Sequence, residues 1–456
     1  LDKADGLQFV REAPLNGNEA QSTYTDSDGS LLYYSNGVII HNKYDSVLFN
    51  SEDILSAGWP TTGTSISQGV LFLPKPADLD DKLCYFINYV ISDSITGWCY
   101  SLIDGNLDGG AGGIVDSVKN VPFSYEGNEQ LHAVRHANNR DWWIFTRSRD
   151  SDSSRFVRRT LLDPFGLKNL ASIEVDTAFH TIRGEMVSSP NGCFLAELGS
   201  SDVSGGWDSH IAIYDLNRNT GHLSLRSAVH MPNSYTYSGA FSSSSNFLYV
   251  TKSLPFPDVI TQVAFLDADI EMEAIYAVPN GLYLNLGEIE LSLDGKIYFG
   301  TEGYGPFFSD VYNMFLGAIQ FPDSVASNTM VEPLFLSLGQ HIEDYSLSDL
   351  PNYVLGTNPC DTASNDPPDT TGTWLAEAIL EDDAFVFPTV SNGTFYMADW
   401  VQSGAEISVF NITGRLILNP QTESRRLDLG YLPPGLFLVE LVQDGRRYWQ
   451  RIVLAN

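Results

Sequence analysis

The sequence predicts an all-β chain: an N-terminal β-propeller of about seven four-stranded blades, then a small C-terminal Ig-like β-sandwich. Three observations carry this. A turn-and-strand unit recurs at a near-constant interval, helical periodicity is missing, and a polar, proline-rich stretch divides the repeat from a second series of short strands.

The repeat is a turn containing Asp, Asn or Gly followed by a short apolar or aromatic strand. It occurs at Asp28-Gly29-Ser30-Leu31-Leu32-Tyr33-Tyr34, Asn191-Gly192-Cys193-Phe194-Leu195, Ser245-Asn246-Phe247-Leu248-Tyr249-Val250 and Asp294-Gly295-Lys296-Ile297-Tyr298-Phe299. Looser copies are Asp81-Lys82-Leu83-Cys84-Tyr85-Phe86 and Asn139-Arg140-Asp141-Trp142-Trp143-Ile144. From Leu32 through Cys84, Trp142, Phe194 and Leu248 to Ile297, the spacings are 52, 58, 52, 54 and 49 residues. A unit of this size matches a propeller blade, whose repeats run roughly 40–50 residues. Stacked sandwiches would not hold one period over such a length. Six anchors are visible, and Gln320–Tyr353 together with the strand at Leu7–Val10 is expected to supply a seventh blade and close the ring, removing open sheet edges.

No long stretch shows apolar residues at helical spacing, and β-branched and aromatic residues crowd between Gly, Asn, Asp and Ser turns. Residues 1–355 are therefore read as the propeller. Residues 356–383, with Asn358-Pro359-Cys360-Asp361 and Asn365-Asp366-Pro367-Pro368-Asp369, read as a linker. Residues 384–456 hold seven short strands with turns at Ser391-Asn392-Gly393, Asn411-Ile412-Thr413-Gly414 and Asp444-Gly445; Asn-Gly and Asp-Gly are strong hairpin signals.

Composition narrows the function. Of 456 residues, 43% are hydrophobic and 12% aromatic, the balance of a folded strand-rich chain. Asp and Glu number 57 against 25 Lys and Arg, a net charge of −32 that repels nucleic acid and anionic lipid alike. No apolar run reaches the ~18 residues that span a bilayer. The start at Leu1, without a signal peptide, is expected of a mature exported chain. Four cysteines, Cys84, Cys99, Cys193 and Cys360, are too few and dispersed for a disulfide scaffold and lack metal-ligand spacing.

The tail then acquires a family. Phe387-Pro388, Ser391-Asn392-Gly393-Thr394-Phe395, Ile407 to Leu416, Leu427-Asp428-Leu429, Leu432-Pro433-Pro434-Gly435-Leu436 and Arg451-Ile452-Val453 resemble, in order and spacing, the type A C-terminal sorting domain of the type IX secretion system of Bacteroidota. The motif positions are Pro388, Asn392, Gly393, Gly414, Leu432, Pro433 and Gly435. The resemblance implies a secreted or cell-surface protein whose partners are the outer-membrane translocon, its shuttle and a sortase. The propeller region also resembles one found at the N-terminus of Bacteroidota surface proteins, including large ones linked to gliding motility or carrying PKD repeats, through segments such as Leu73-Pro74-Lys75-Pro76, Leu107 to Gly113 and Leu131 to Asn138, and adhesion is a further expectation for such a surface protein. That likeness implies fold and habitat and brings no catalytic residues.

Candidate sites are sparse. Asp104, Asn106 and Asp108, with Gly109, resemble the opening of a Ca2+ loop, but Val115 stands where the bidentate acid belongs, so a glycine-rich connection between strands is the simpler reading. His132 and His136 have the spacing of a helical metal pair, yet fall in a predicted strand, where that spacing does not converge. Asp141, Asp215 and Asp267 stand near strand ends, where carboxylates either pair for hydrolysis or cap turns. There is no nucleophile elbow. Trp98, Tyr100, Trp142, Trp143, Tyr235 and Tyr237 are assigned to blade packing, with a sugar contact among them kept open.

No catalytic residues or cofactors are assigned. The expected function is a non-enzymatic surface propeller binding proteins or glycans. Two alternatives are a self-assembling subunit of an extracellular filament that retains its tail, and a carbohydrate-active enzyme.

Overall fold

A computed structural model describes residues 19–351 and 386–454, except 27, 55–63, 79, 81, 92–95, 126, 149–155, 176–182, 204–205, 254–256, 267–269, 280–283, 304–313, 339–346, 388–389, 392, 399–400, 403–404, 412–415, 419–425, 433–434 and 444–445. The chain divides into two units, Leu1–Ser364 and Asn365–Asn456. The expected linker and the Leu7–Val10 strand lie outside the described residues.

Among the described residues, six antiparallel sheets follow one another in the first unit. Their first strands are Ser22–Thr25, Val70–Pro74, Gly127–Arg135, Arg183–Ser188, Tyr235–Phe241 and Leu284–Leu291. Their second strands are Leu31–Ser35, Leu83–Ile91, Trp142–Ser148, Phe194–Val203, Phe247–Ser253 and Ile297–Gly303. Each of the six repeat anchors therefore falls in a second strand, which explains the regular period. First strands of successive sheets lie side by side from the first sheet to the sixth. These are the blades of a propeller, with the first strands around its axis.

Three blades vary the pattern, and among the described residues the first has three strands. In the second, Gly113–Ile114 and Val121–Tyr125 share one neighbour, Thr96–Asp104; in the third, Gly166–Asn169 and Ile173–Glu174 share Phe156–Asp163. Each pair is an interrupted outer strand. Met330–Ser337, read from the sequence as part of a seventh blade, instead pairs with Phe315–Gln320 as the fourth strand of the sixth. Ring closure falls to the residues just beyond. The N–H of Asp349 donates to Gln21 O at 2.7 Å, Ser22 Oγ donates to Asp349 O at 2.9 Å, and the N–H of Leu347 donates to Glu288 Oε2 at 2.5 Å. The segment thus ties the first blade to the sixth.

Cores lie between blades. Successive residues of a strand point to opposite faces, so Trp142 joins the cluster shared with the second blade, alongside Tyr85 and Trp98, while Trp143 joins Met186, Leu195 and Tyr214 of the fourth. A buried ring covering roughly 200 Å² at about 25 cal/mol per Å² contributes about 5 kcal/mol before conformational entropy is counted.

In the second unit a three-stranded sheet (Val386–Phe387, Thr394–Met397, Arg426–Asp428) and a five-stranded one share a single core. Phe395, Met397 and Leu427 from the first pack with Ile407, Val409, Val439, Leu441 and Ile452 from the second. Gln450 links the sheets by bonding both the N–H and the C=O of Val386, at 2.8 and 2.6 Å. This is a small β-sandwich.

Candidate functional site

The first strands of the third to fifth blades are neighbours, and the contacts among their starting ends make one rim around the propeller axis. At that rim, in the third to fifth blades, stand Glu129, Arg183, Trp207 and Tyr235. The Arg183 guanidinium lies 5.0 Å from the centre of the Trp207 ring, and Trp207 meets Tyr235 edge-on at 5.0 Å. Arg183 Nε also approaches Glu129 Oε1 at 4.0 Å, and Ser67 Oγ donates to Glu129 at 3.1 Å. Trp207 and Tyr235 are half-buried and Arg183 is exposed. Burial, with the charge of Glu19, raises the Glu129 carboxyl to about 7 against the opposing pull of Ser67 and Arg183.

Four carboxyl groups lie further in. Arg183 and Glu185 are alternate residues of one strand and share a face, so Glu185 stands roughly 6–7 Å deeper. The intervening Gly184 has φ +126°, and a Cβ there would fall 2.1 Å from Leu198 O. Only glycine lets the second strand of this blade approach so closely. Glu185 accepts from the N–H of Gly239 at 3.3 Å, and burial raises its carboxyl to about 8.

Glu288 and Glu290 come from the sixth blade through a β-bulge. The register shifts between Leu286 and Ile289, so Leu284, Leu286, Ile289 and Leu291 all remain with the apolar core despite the break in alternation. The opposite face receives Glu288 and Glu290. A second bulge, between Thr236 and Gly239, interrupts the first strand of the fifth blade. Bulges gather where a side chain must be re-aimed, often beside functional sites. Asp349 arrives with the closing segment. Burial pushes Glu288, Glu290 and Asp349 well above the carboxylate range, and repulsion adds to it: from Asp349 and Glu185 on Glu288, and from Glu185 on both Glu290 and Asp349. Among the described residues Glu288 Oε1 and Asp349 Oδ2 are buried without a hydrogen-bond partner, whereas the Glu290 residue keeps partial exposure.

The residues singled out from the sequence lie elsewhere. Asp104 Oδ1 accepts from the backbone N–H and side-chain amide of Asn106, at 2.8 and 3.0 Å, and Asp108 opens a single 3₁₀ turn in the connection between two strands. No three acidic, His or Cys side chains among the described residues are placed to hold a metal. His132 Nε2 accepts from the N–H of Ser188 at 3.1 Å, and burial lowers its pKa to about 4. His136 packs on Trp143 and contacts Asn219 O through Nε2 at 3.0 Å. Asp141 is held by Arg140 and Asn138, and Asp215 by Arg226, both at the end where first strands finish, opposite the acidic rim. Asp267 lies outside the described residues. Trp98, Trp142, Trp143 and Tyr237 are buried in the blades as expected, and Tyr235 alone of the six aromatics joins the rim site.

The sequence reading missed Glu185, Glu288, Glu290 and Asp349. A signal was present: Gly184-Glu185 and Gly287-Glu288 each set an acid behind a glycine within an apolar strand. In the tail, Gly393 has φ +137°, and its C=O accepts from the N–H of Leu429 at 2.7 Å. Leu432 packs on the sandwich core and Gly435 opens the strand Gly435–Gln443. Pro388, Asn392, Gly414 and Pro433 lie outside the described residues.

Residues 385–455 match the secretion system C-terminal sorting domain. Among solved structures, the Pseudomonas aeruginosa periplasmic gluconolactonase PpgL aligns at 13% identity and TM-score 0.39, over 95% of this chain and 98% of its own. PorZ, a surface component of the type IX secretion system of Porphyromonas gingivalis, aligns at 12% identity and TM-score 0.34, over 98% of this chain and 60% of its own. A Lactobacillus plantarum protein aligns at 13% identity and TM-score 0.39, over 68% and 81%. No curated protein is similar enough in sequence to count as a match. No helix among the described residues is long and apolar enough to cross a membrane.

The class is thus a β-propeller carrying a sorting tail. In particular, it is a surface protein exported by type IX secretion to the cell surface or the extracellular space.

Proposed function

We propose that this exported propeller is a glycan-binding surface protein whose ligand seats at the channel rim on Trp207 and Tyr235, between Arg183 and Glu129. The observation that carries the reading is the half-buried Trp207–Tyr235 pair, with its rings 5.0 Å apart, beside an exposed guanidinium and a carboxyl. Aromatic rings stack on the apolar faces of sugars, while Arg and Glu supply the donors and acceptors that orient hydroxyls. The translocon, shuttle and sortase remain the partners proposed for the tail.

The test is titration of the full chain with oligosaccharides. Trp207→Ala and Tyr235→Ala should each weaken binding about tenfold or more, the effect of about 1.4 kcal/mol. Unchanged affinity in both variants would remove the rim from consideration.

One observation favours a second reading, a carbohydrate-active enzyme: Glu129 and Glu185 have carboxyl groups brought to about 7 and about 8, the range in which an acid can give and regain a proton near neutrality. New reducing ends appearing during incubation with the bound oligosaccharide, and their loss in Glu129→Gln, would establish it.

A further inference from the structure

We infer that the channel accepts an amino sugar, whose ammonium group passes the rim and hydrogen-bonds the buried carboxylates of Glu288 and Asp349. The inference rests on the glycan reading above and names the class of sugar.

Buried polar atoms are almost always hydrogen-bonded, and a buried carboxylate oxygen without a donor is costly. Here two such oxygens, Glu288 Oε1 and Asp349 Oδ2, belong to groups close enough to repel each other. The other oxygen of Glu288 already accepts the N–H of Leu347. Among the described residues no cationic side chain forms an ion pair with Glu185, Glu288, Glu290 or Asp349. The described residues therefore leave this cluster of acids without a cationic partner, and a cation arriving there would displace their protons.

A bare divalent ion would need three ligands drawn close together, and the described residues offer no such group. An ammonium group suits the site better. It donates three hydrogen bonds with free choice of direction at about 2.7–2.9 Å from each acceptor, so its acceptors can stand further apart than metal ligands.

The cluster also lies on the path from the sugar site. Glu185 shares its strand face with Arg183 at the rim, and Glu19 acts electrostatically on Glu129 and Tyr235 as well as on Glu185. A net charge of −32 would draw cationic oligomers toward the protein.

The test compares two tetrasaccharide probes on the full chain, β-1,4-linked glucosamine and its fully N-acetylated counterpart, by calorimetry in two buffers of different ionisation enthalpy at about pH 6.5. The amine form should bind about tenfold or more tightly and release protons, because a cation favours the ionised carboxylates. Glu288→Gln and Asp349→Asn should each abolish the preference and leave binding of the acetylated probe unchanged; removing a buried repulsion does not endanger the fold. Equal binding of both probes without proton release overturns the amine inference while the glycan reading stands. Acetylated probe binding that ignores Trp207→Ala overturns the glycan reading. A preference that survives both carboxyl variants overturns the assignment to Glu288 and Asp349.

Discussion

Arg147 and Glu197 form an ion pair 2.8 Å long between the second strands of the third and fourth blades, and both side chains are fully buried. Tyr214 donates a further bond to Glu197 Oε2 at 3.1 Å, and His210 stands 3.8 Å away. Burial alone would raise the Glu197 carboxyl; Arg147, aided by His210, overrides it and brings the pKa down to about 2 from the ordinary 4.5. A lowered folded-state pKa gives stability that is complete above the unfolded value and is lost as pH falls toward the folded one. Glu197→Gln should thus cost about 3–5 kcal/mol near neutrality, because it removes one charge of a fully buried ion pair. Urea unfolding should show that difference shrinking from about pH 4.5 downward. A pH-independent difference would rule out the ion pair as its source.

Glu185 predicts the opposite sign. Its carboxyl is raised from 4.5 to about 8 by burial, so across that interval the folded protein holds a proton that the unfolded chain has released. Stability must then fall as pH rises through this window, and Glu129, Glu288, Glu290 and Asp349, all raised, act in the same direction. Melting temperature should be higher near pH 5 than near pH 8, by several degrees on the usual scale of ~2–4 °C per kcal/mol. Glu185→Gln should flatten the profile and melt above the parent protein at the alkaline end. That comparison separates the channel from the general repulsion of so acidic a chain, which the variant barely changes.

The contrast between these two acids explains what the sequence could reveal. The blade period was legible because every blade repeats one local event, a tight turn feeding an apolar second strand, and Leu32, Cys84, Trp142, Phe194, Leu248 and Ile297 all sit in that strand. Local chemistry writes local signals. The acidic cluster had none of comparable strength, since Glu185, Glu288 and Asp349 meet only when the ring closes, through contacts such as Ser22 with Asp349 across 327 positions. Strict alternation would also place Glu288 with Leu284 and Leu286 in the core, and only the bulge moves it out. The fourth strand of the sixth blade was misplaced for a related reason: Met330–Ser337 is mostly half-exposed and lacks the alternation that marks an inner strand.

Cysteine chemistry gives a third prediction. Cys84 and Cys99 are free and buried, and burial pushes the Cys99 thiol up to about 12, so thiolate is scarce at neutral pH. Cys193 is disulfide-bonded. A single cross-link agrees with a chain whose stability comes from apolar blade contacts rather than a scaffold of bridges. Thiol titration of the denatured, unreduced protein should count two groups, and the native protein should label slowly at both. A count of four would show Cys193 reduced.

Gly393 tests the tail through its fold. A Cβ at this position would lie 2.5 Å from Gly430 Cα, and the φ of +137° is one that other residues avoid. The same residue accepts the N–H of Leu429, a core side chain of the sandwich, so a shift at 393 displaces the strand end that carries Leu427 and Leu429. Gly393→Ala should therefore destabilise the sandwich by roughly 2–4 kcal/mol. Since export depends on recognition of this domain, full-length protein should fall at the cell surface and rise in the periplasmic fraction, while the propeller, a separate unit, resists protease as before. Normal surface levels with an unfolded tail would mean that the secretion machinery reads a linear segment and not the folded sandwich.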